Sequence, residues 1–288
     1  MIVLFALAIL SLSFQNVAFK LFNMNYMKNT ASYFIFNAVY FTMICVIYAV
    51  IGINFINFMP AVVLLGTLFA CSFISAMYLY MKAMENGPLG LSFLFFSSGM
   101  LLPILFGIIF FREPAPFHKF IGLILLFAAF YISTIGAGSN KMNKKWVVYI
   151  LLAAVSNGII GIAIRLVRTV VPEDAFVDFL FLGFGQAAVL SFIIGVFVIM
   201  RYKPTMTHLY AAPFILIAVL AAVTTAGGNY AMVTLSLYVS ALVQFPIVNG
   251  SLVISSIIAS RVLFKEKVTK QHILTIAVGL AAILLLSL

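Results

Sequence analysis

The sequence predicts an all-α membrane protein of ten transmembrane helices, arranged as a 5+5 inverted-topology repeat. Three observations carry this expectation. Of 288 residues, 65% are apolar and only 8% are charged, whereas a soluble domain is about half apolar and about a quarter charged. The apolar residues gather into ten runs of roughly the 20 residues needed to cross bilayer hydrocarbon. The same small charged punctuation, "FFREP" at 110–114 and "LFKEK" at 263–267, closes the fourth and ninth runs.

Taken in order, the first run, 1–22, has no basic segment before it and meets its first charge at Lys20. It also lacks a clear small-residue cleavage site, so it reads as a retained span and not a signal peptide. "NMNYMKNT" separates it from 32–51, and "INFMP" introduces 61–84. "ENGPLG" precedes 91–111, which contains Pro103, and "FREPAPFHK" leads into 120–138. After "GSNKMNKK" come 146–166, then "VVPED" and 175–200, then "RYKPTMTH" and 210–233. The break "LSLY" precedes 238–264, which contains Pro246, and "FKEKVTKQ" precedes 272–288. Gly, Pro, Asn and charge are the residues that interrupt helices in this way. All these loops are short, so no extramembrane domain is available to hold a soluble active site.

Ten spans divide into halves 1–138 and 146–288, joined by 139–145 within the loop "GAGSNKMNKK". Five is odd, so the second half enters from the opposite face, which is the inverted repeat of many secondary transporters. Aligning Glu113 with Glu266 brings the fifth and tenth spans into register and sets Tyr78 near Tyr230. It also pairs Gln15-Asn16 with Ser156-Asn157. The ordinary reading of Glu113 and Glu266 is interfacial anchoring, each neutralising its basic neighbours.

Charge sets the orientation. One face carries Arg112, Lys119, Arg165 and Arg168; the other carries the remaining Lys and Arg, from Lys20 and Lys28 to Lys267 and Lys270. The positive-inside rule then leaves both termini non-cytoplasmic and the 136–145 loop inside a cell membrane. The net charge of +10 is of this anchoring kind and does not call for a nucleic-acid partner. Cys45 and Cys71 lie within apolar runs and are expected to stay unpaired, as small hydrophobes.

The stretch "PIVNGSLVISSIIASRVLFKEKVTKQHILTIAVGLAAILLL", Pro246 to Leu286, joins a small-residue helix, an acidic cap and a closing helix. It resembles the drug/metabolite transporter superfamily, in its EamA-like ten-span branch. "GPLGLSFLFFSSGMLLPILFGIIFFREPAPFHKFIGLILL" is the looser first-half counterpart, and "SLSFQNVAFKLFN" is similar to the first span of one EamA-like subgroup. The resemblance covers the whole chain. It implies a central cavity lined by spans 1, 3, 4, 6, 8 and 9, and alternating access. It implies no particular solute, since the superfamily carries amino acids, sugars, nucleotide-linked compounds and organic cations. Its small multidrug members use a buried Glu in the first helix, where this chain has the neutral pair Gln15-Asn16. A carboxylate-driven proton/cation antiport is therefore disfavoured.

Polar groups at bilayer depth are costly without partners or water, so they nominate the site. The substrate-binding candidates are Gln15, Asn16, Tyr78, Ser98, Asn157, Asn229, Tyr230, Gln244 and Asn249, with Pro103 and Pro246 as helix-kinking residues. The rival role for the amides is interhelical bonding; for Ser98, a bond to its own helix. These residue types suit a neutral or zwitterionic solute. Lys20, Lys82, Arg165 and Arg261 leave room for an anion, although their ordinary role is to snorkel to the interface.

No enzyme signature is present, and His118, His208 and His272 are dispersed. No metal, cofactor or catalytic residue is expected. The sequence thus predicts a secondary carrier or exporter of a small metabolite, a monomer or homodimer among membrane lipids. The alternative is a lipid or amphiphile flippase on the same fold, with an intramembrane enzyme the less favoured reading.

Overall fold

Helix forms within each apolar run among the described residues, because in lipid a helix satisfies its own backbone polar groups. A computed structural model describes the chain apart from residues 53–58, 87–94, 115, 135–143, 206–211, 264–269 and 288. Among the described residues the helices are α1 (Ile2–Tyr26), α2 (Thr30–Gly52), α3 (Pro60–Asn86), α4 (Leu101–Phe110) and α5 (Phe117–Thr134). They continue as α6 (Lys144–Val170), α7 (Phe176–Tyr202), α8 (Ala212–Tyr238), α9 (Ala241–Leu263) and α10 (Lys270–Ser287). Six of them, α1, α2, α3, α6, α7 and α8, are long and apolar enough to cross a membrane.

Helix ends follow local chemistry. The Ser32 backbone N–H donates to Asn29 Oδ1 at 2.8 Å, a side-chain cap on the first turn of α2. Asp178 lies in the first turn of α7, where a carboxylate meets the positive end of the helix dipole. Lys203 closes α7 in the left-handed region at φ 45°, its N–H returning to Ile199 O at 2.8 Å.

The chain folds into two compact units that interleave the sequence halves. The first contains Met1–Ile74 and Leu166–Thr234; the second contains Ser75–Arg165 and Leu235–Leu288. In the first unit, α2 packs antiparallel to α7. A Cβ on Gly195 would touch Phe34, one on Gly185 would touch Cys45 Sγ, and one on Gly52 would meet Val177. Small residues allow this close approach. Around it lies an aromatic cluster of Phe41, Phe69, Phe73, Phe179 and Phe184, with ring centroids 5.1–5.7 Å apart. Val189, Phe192, Ile193 and Phe197 of α7 point outward and are exposed, an apolar surface suited to lipid.

In the second unit α10 packs on α5 and α9, and a Cβ on Gly279 would sit in ordinary contact with Ala129 and Ile254. Buried Ala83, Trp146, Ile150 and Ala153 form a core where α3 meets α6. Cys45 and Cys71 are both free thiols.

Candidate functional site

The "FREP" stretch is a helix ending that turns inward. Arg112 follows α4 at φ 49°, a left-handed conformation costly for a residue with a Cβ. That turn returns the Glu113 backbone N–H to Gly107 O at 3.2 Å, beside the Phe111 N–H at 3.1 Å. The Glu113 carboxylate then lies over Gly107, where an added Cβ would come within 2.6 Å of Oε2. Glu113 is buried and forms an ion pair with Arg165 of α6, which is fully buried. Arg165 Nη1 donates to the carbonyls of Val239 at 2.7 Å and Ser236 at 3.2 Å, and its guanidinium lies 5.9 Å from the Phe111 ring centroid. Glu113 Oε2 accepts the Ala241 N–H at 2.7 Å.

The pair therefore straddles the break between α8 and α9. The cation meets the carbonyl end of one helix and the anion meets the amide end of the next, so both charges oppose the helix dipoles. This corrects two expectations. Glu113 does not serve at the interface to neutralise Arg112, and Arg165 does not snorkel. The break also falls at Val239–Ser240, whereas α8 continues through "LSLY" to Tyr238. That tetrapeptide has no helix-breaking residue; distant side chains hold the ends that follow it. Glu266 lies outside the described residues.

The fourth run is interrupted, where one span over 91–111 with a kink at Pro103 was expected. It is helical over 95–98, turns at Gly99–Met100 and resumes as α4. Pro103 lies in the first turn of α4, where a missing N–H costs nothing, and its ring would clash with the carbonyl four residues earlier, at Gly99. The turn is tight, with N–H bonds from Gly99 to Phe96 O at 3.2 Å and from Met100 to Ser97 O at 3.2 Å. α6 fits against it through small residues. A Cβ on Gly158 would lie 2.7 Å from Gly99 O and 2.5 Å from Leu102, and one on Gly161 would lie 2.6 Å from Pro103. Asn157 Nδ2 donates to Phe96 O at 3.1 Å, the interhelical role considered for it. Ser98 Oγ donates to Phe95 O at 2.6 Å, within its own turn.

The remaining candidates fall in both units. In the first, Gln15 and Asn229 are buried, Asn16 is half-buried and Tyr230 is exposed. Asn229 Nδ2 donates to Thr225 O at 2.9 Å, one turn back in α8. In the second, Tyr78 is half-buried with Lys82 Nζ 6.0 Å from its ring centroid, and Gln244 is fully buried. Pro246 lies inside α9, and Asn249 Nδ2 donates to Phe245 O at 2.9 Å beside it. Within the second unit, Asn157, Ser98 and Pro103 gather at the α4 break, while Gln244, Pro246 and Asn249 share α9.

Sequence reading missed two further residues. Arg165 was visible only as a charge near a span end, and no local signal marks its partner 52 residues earlier. Tyr48 of α2 donates to Ala226 O of α8 at 2.6 Å, and one tyrosine among 12 carries no such mark in sequence.

The fold is shared with known structures. Among the solved chains, 29 match it. One, described as "Crystal structure of protein", has a TM-score of 0.74 at 15% identity, covering 98% of this chain and 94% of its own. That likeness is one of fold. No family model and no curated protein matches the sequence.

Proposed function

We propose that the chain is a secondary carrier of the drug/metabolite transporter type, with ten spans in a 5+5 inverted repeat. It moves a small neutral, zwitterionic or anionic metabolite by alternating access. The observation that carries this reading is the pairing of counterpart helices. If the halves repeat, span 2 corresponds to span 7 and span 5 to span 10. Among the described residues, α2 packs extensively on α7, and α5 packs extensively on α10. Spans 3 and 8 also lie mostly in one unit, and spans 4 and 9 in the other. Counterparts packed on each other are what a two-fold axis in the membrane plane produces, and inverted repeats of this kind exchange inward-open and outward-open states.

The interrupted α4 run supports the same reading, because non-helical backbone at membrane depth is tolerated where protein buries it or a cavity borders it. Purified chain in proteoliposomes, tested for saturable uptake and counterflow of labelled amino acids, sugars and nucleotides, tests the proposal. Asn16→Ala and Asn249→Ala should abolish counterflow while leaving folded protein. Normal transport by both variants would remove these residues from the site. Movement of labelled lipid between leaflets without solute counterflow would replace the carrier by a flippase.

A further inference from the structure

α2 turns one face toward the interior of the first unit. Tyr33, Asn37, Tyr40, Ile44 and Tyr48 recur along it at helical spacing, and all are buried. Burying a polar group is costly unless it finds a hydrogen-bond partner. The outer two tyrosines find theirs on neighbouring helices. Tyr33 donates to Ile74 O of α3 at 3.1 Å, and Tyr48 donates to Ala226 O of α8 at 2.6 Å. A buried tyrosine ordinarily does so.

The middle of the face departs from this pattern. Tyr40 is 0% exposed and Asn37 2% exposed, yet among the described residues neither the Tyr40 hydroxyl nor Asn37 Nδ2 has a hydrogen-bond partner. The two stand one turn apart, near the midpoint of the 23-residue helix. The Tyr40 ring lies edge-on to Phe19 of α1 at 5.6 Å and tilted on Phe36 at 5.1 Å between centroids. Phe22 stacks on Phe36 at 3.9 Å, so α1 runs antiparallel to α2. Gln15, also buried, precedes Phe19 by one turn on the same side of α1. Three buried polar side chains on two neighbouring helices thus border one aromatic contact.

Phe at position 40 and Leu at position 37 would fill similar volumes without an unpaired group, and an unpaired buried donor costs more than its apolar replacement. Departures of this kind from a consistent interior are expected at functional sites. The two groups also define a chemistry. An amide nitrogen only donates, and a phenolic hydroxyl can donate. Two neighbouring donors fit one acceptor oxygen of a carboxylate or an amide.

We propose that Asn37 and Tyr40, with Gln15, form a solute-recognition site on α1 and α2 that takes the carboxylate or amide oxygen of a small zwitterionic or neutral solute, of the amino-acid class. Span 2 lies outside the cavity lining that the family resemblance implies. That the bound solute is then moved rests on the carrier reading; the binding does not.

The experiment measures equilibrium binding of a radiolabelled amino-acid mixture, and separately of labelled sugars, to the purified full chain in nanodiscs. Solute-free thermal unfolding is followed alongside. Wild type should bind the amino acids and not the sugars. Tyr40→Phe and Asn37→Leu should unfold at or above the wild-type temperature, and each should weaken binding about tenfold, as expected for one hydrogen bond lost to the solute. Tyr33→Phe breaks a bond between helices, so it should unfold lower and bind as wild type does. Lower unfolding temperatures for both Tyr40→Phe and Asn37→Leu would make the two groups structural and overturn the proposal. Unaltered binding by these variants would overturn it too, as would a wild type that binds sugars alone or neither mixture. Variant-sensitive binding without counterflow in proteoliposomes keeps the site and overturns the carrier reading alone.

Discussion

Glu113 and Arg165 illustrate how much one buried pair can organise. Each is removed from water, which is expensive, and each recovers that cost through the other and through backbone groups at a helix end. Removing one partner leaves an uncompensated buried charge, a loss of about 3–5 kcal/mol. Glu113→Gln and Arg165→Met should therefore each lower the thermal unfolding temperature in detergent by many degrees. The double replacement Glu113→Leu with Arg165→Met should recover part of that loss. Recovery stays incomplete because the Ala241 N–H and the carbonyls of Ser236 and Val239 lose their partners. A double variant no more stable than the worse single would show that helix capping, not charge pairing, is the dominant contribution. Sequence exposed the Glu in "FREP" but not its direction. That direction depends on the left-handed Arg112, a conformation that a non-glycine residue does not advertise.

At the level of the element, the informative failures are the two helix breaks. Runs of apolar residue report where a helix has enough length, and among the described residues helix lies in every expected segment, in two pieces in the fourth. They do not report where a helix is forced to stop. The α4 run breaks four residues before Pro103, because a proline displaces the turn preceding it. The α8–α9 break falls after "LSLY", where Glu113, just past the end of α4, and Arg165 of α6 hold the ends. Packing at the first break gives a sharp contrast between two glycines. Gly158→Ala places a methyl group 2.7 Å from Gly99 O and 2.8 Å from Leu102 Cβ, neither able to retreat without shifting backbone. Overpacking of this kind costs about 1–3 kcal/mol. Gly279→Ala meets nothing nearer than 3.8 Å and gains helix propensity, so it should be neutral or stabilising by up to about 1 kcal/mol. Thermal unfolding of both variants checks the contrast; equal effects would place the close approach elsewhere.

For the whole molecule, composition was enough to read a helical membrane protein, since 8% charged residues cannot clothe a water-facing surface. Which helices share a unit was not legible, because apolar runs match one another too easily to specify partners. The division into halves is a statement about chain order, and the compact units cut across it. Parity of the spans remains the feature on which the inverted repeat depends, and it has a direct test. Ten spans require both termini on one face, and the Lys and Arg distribution predicts that this face is non-cytoplasmic. Single cysteines at Ile2→Cys, Asn140→Cys and Ser287→Cys, in a Cys45→Ala, Cys71→Ala background, would be labelled in intact cells with an impermeant maleimide. Ile2→Cys and Ser287→Cys should react, and Asn140→Cys only after lysis. If both termini are protected and Asn140→Cys reacts, the orientation reverses while the repeat stands. If the termini differ, the span number is odd, the second half cannot be an inverted copy of the first, and alternating access by exchange of equivalent halves is lost with it.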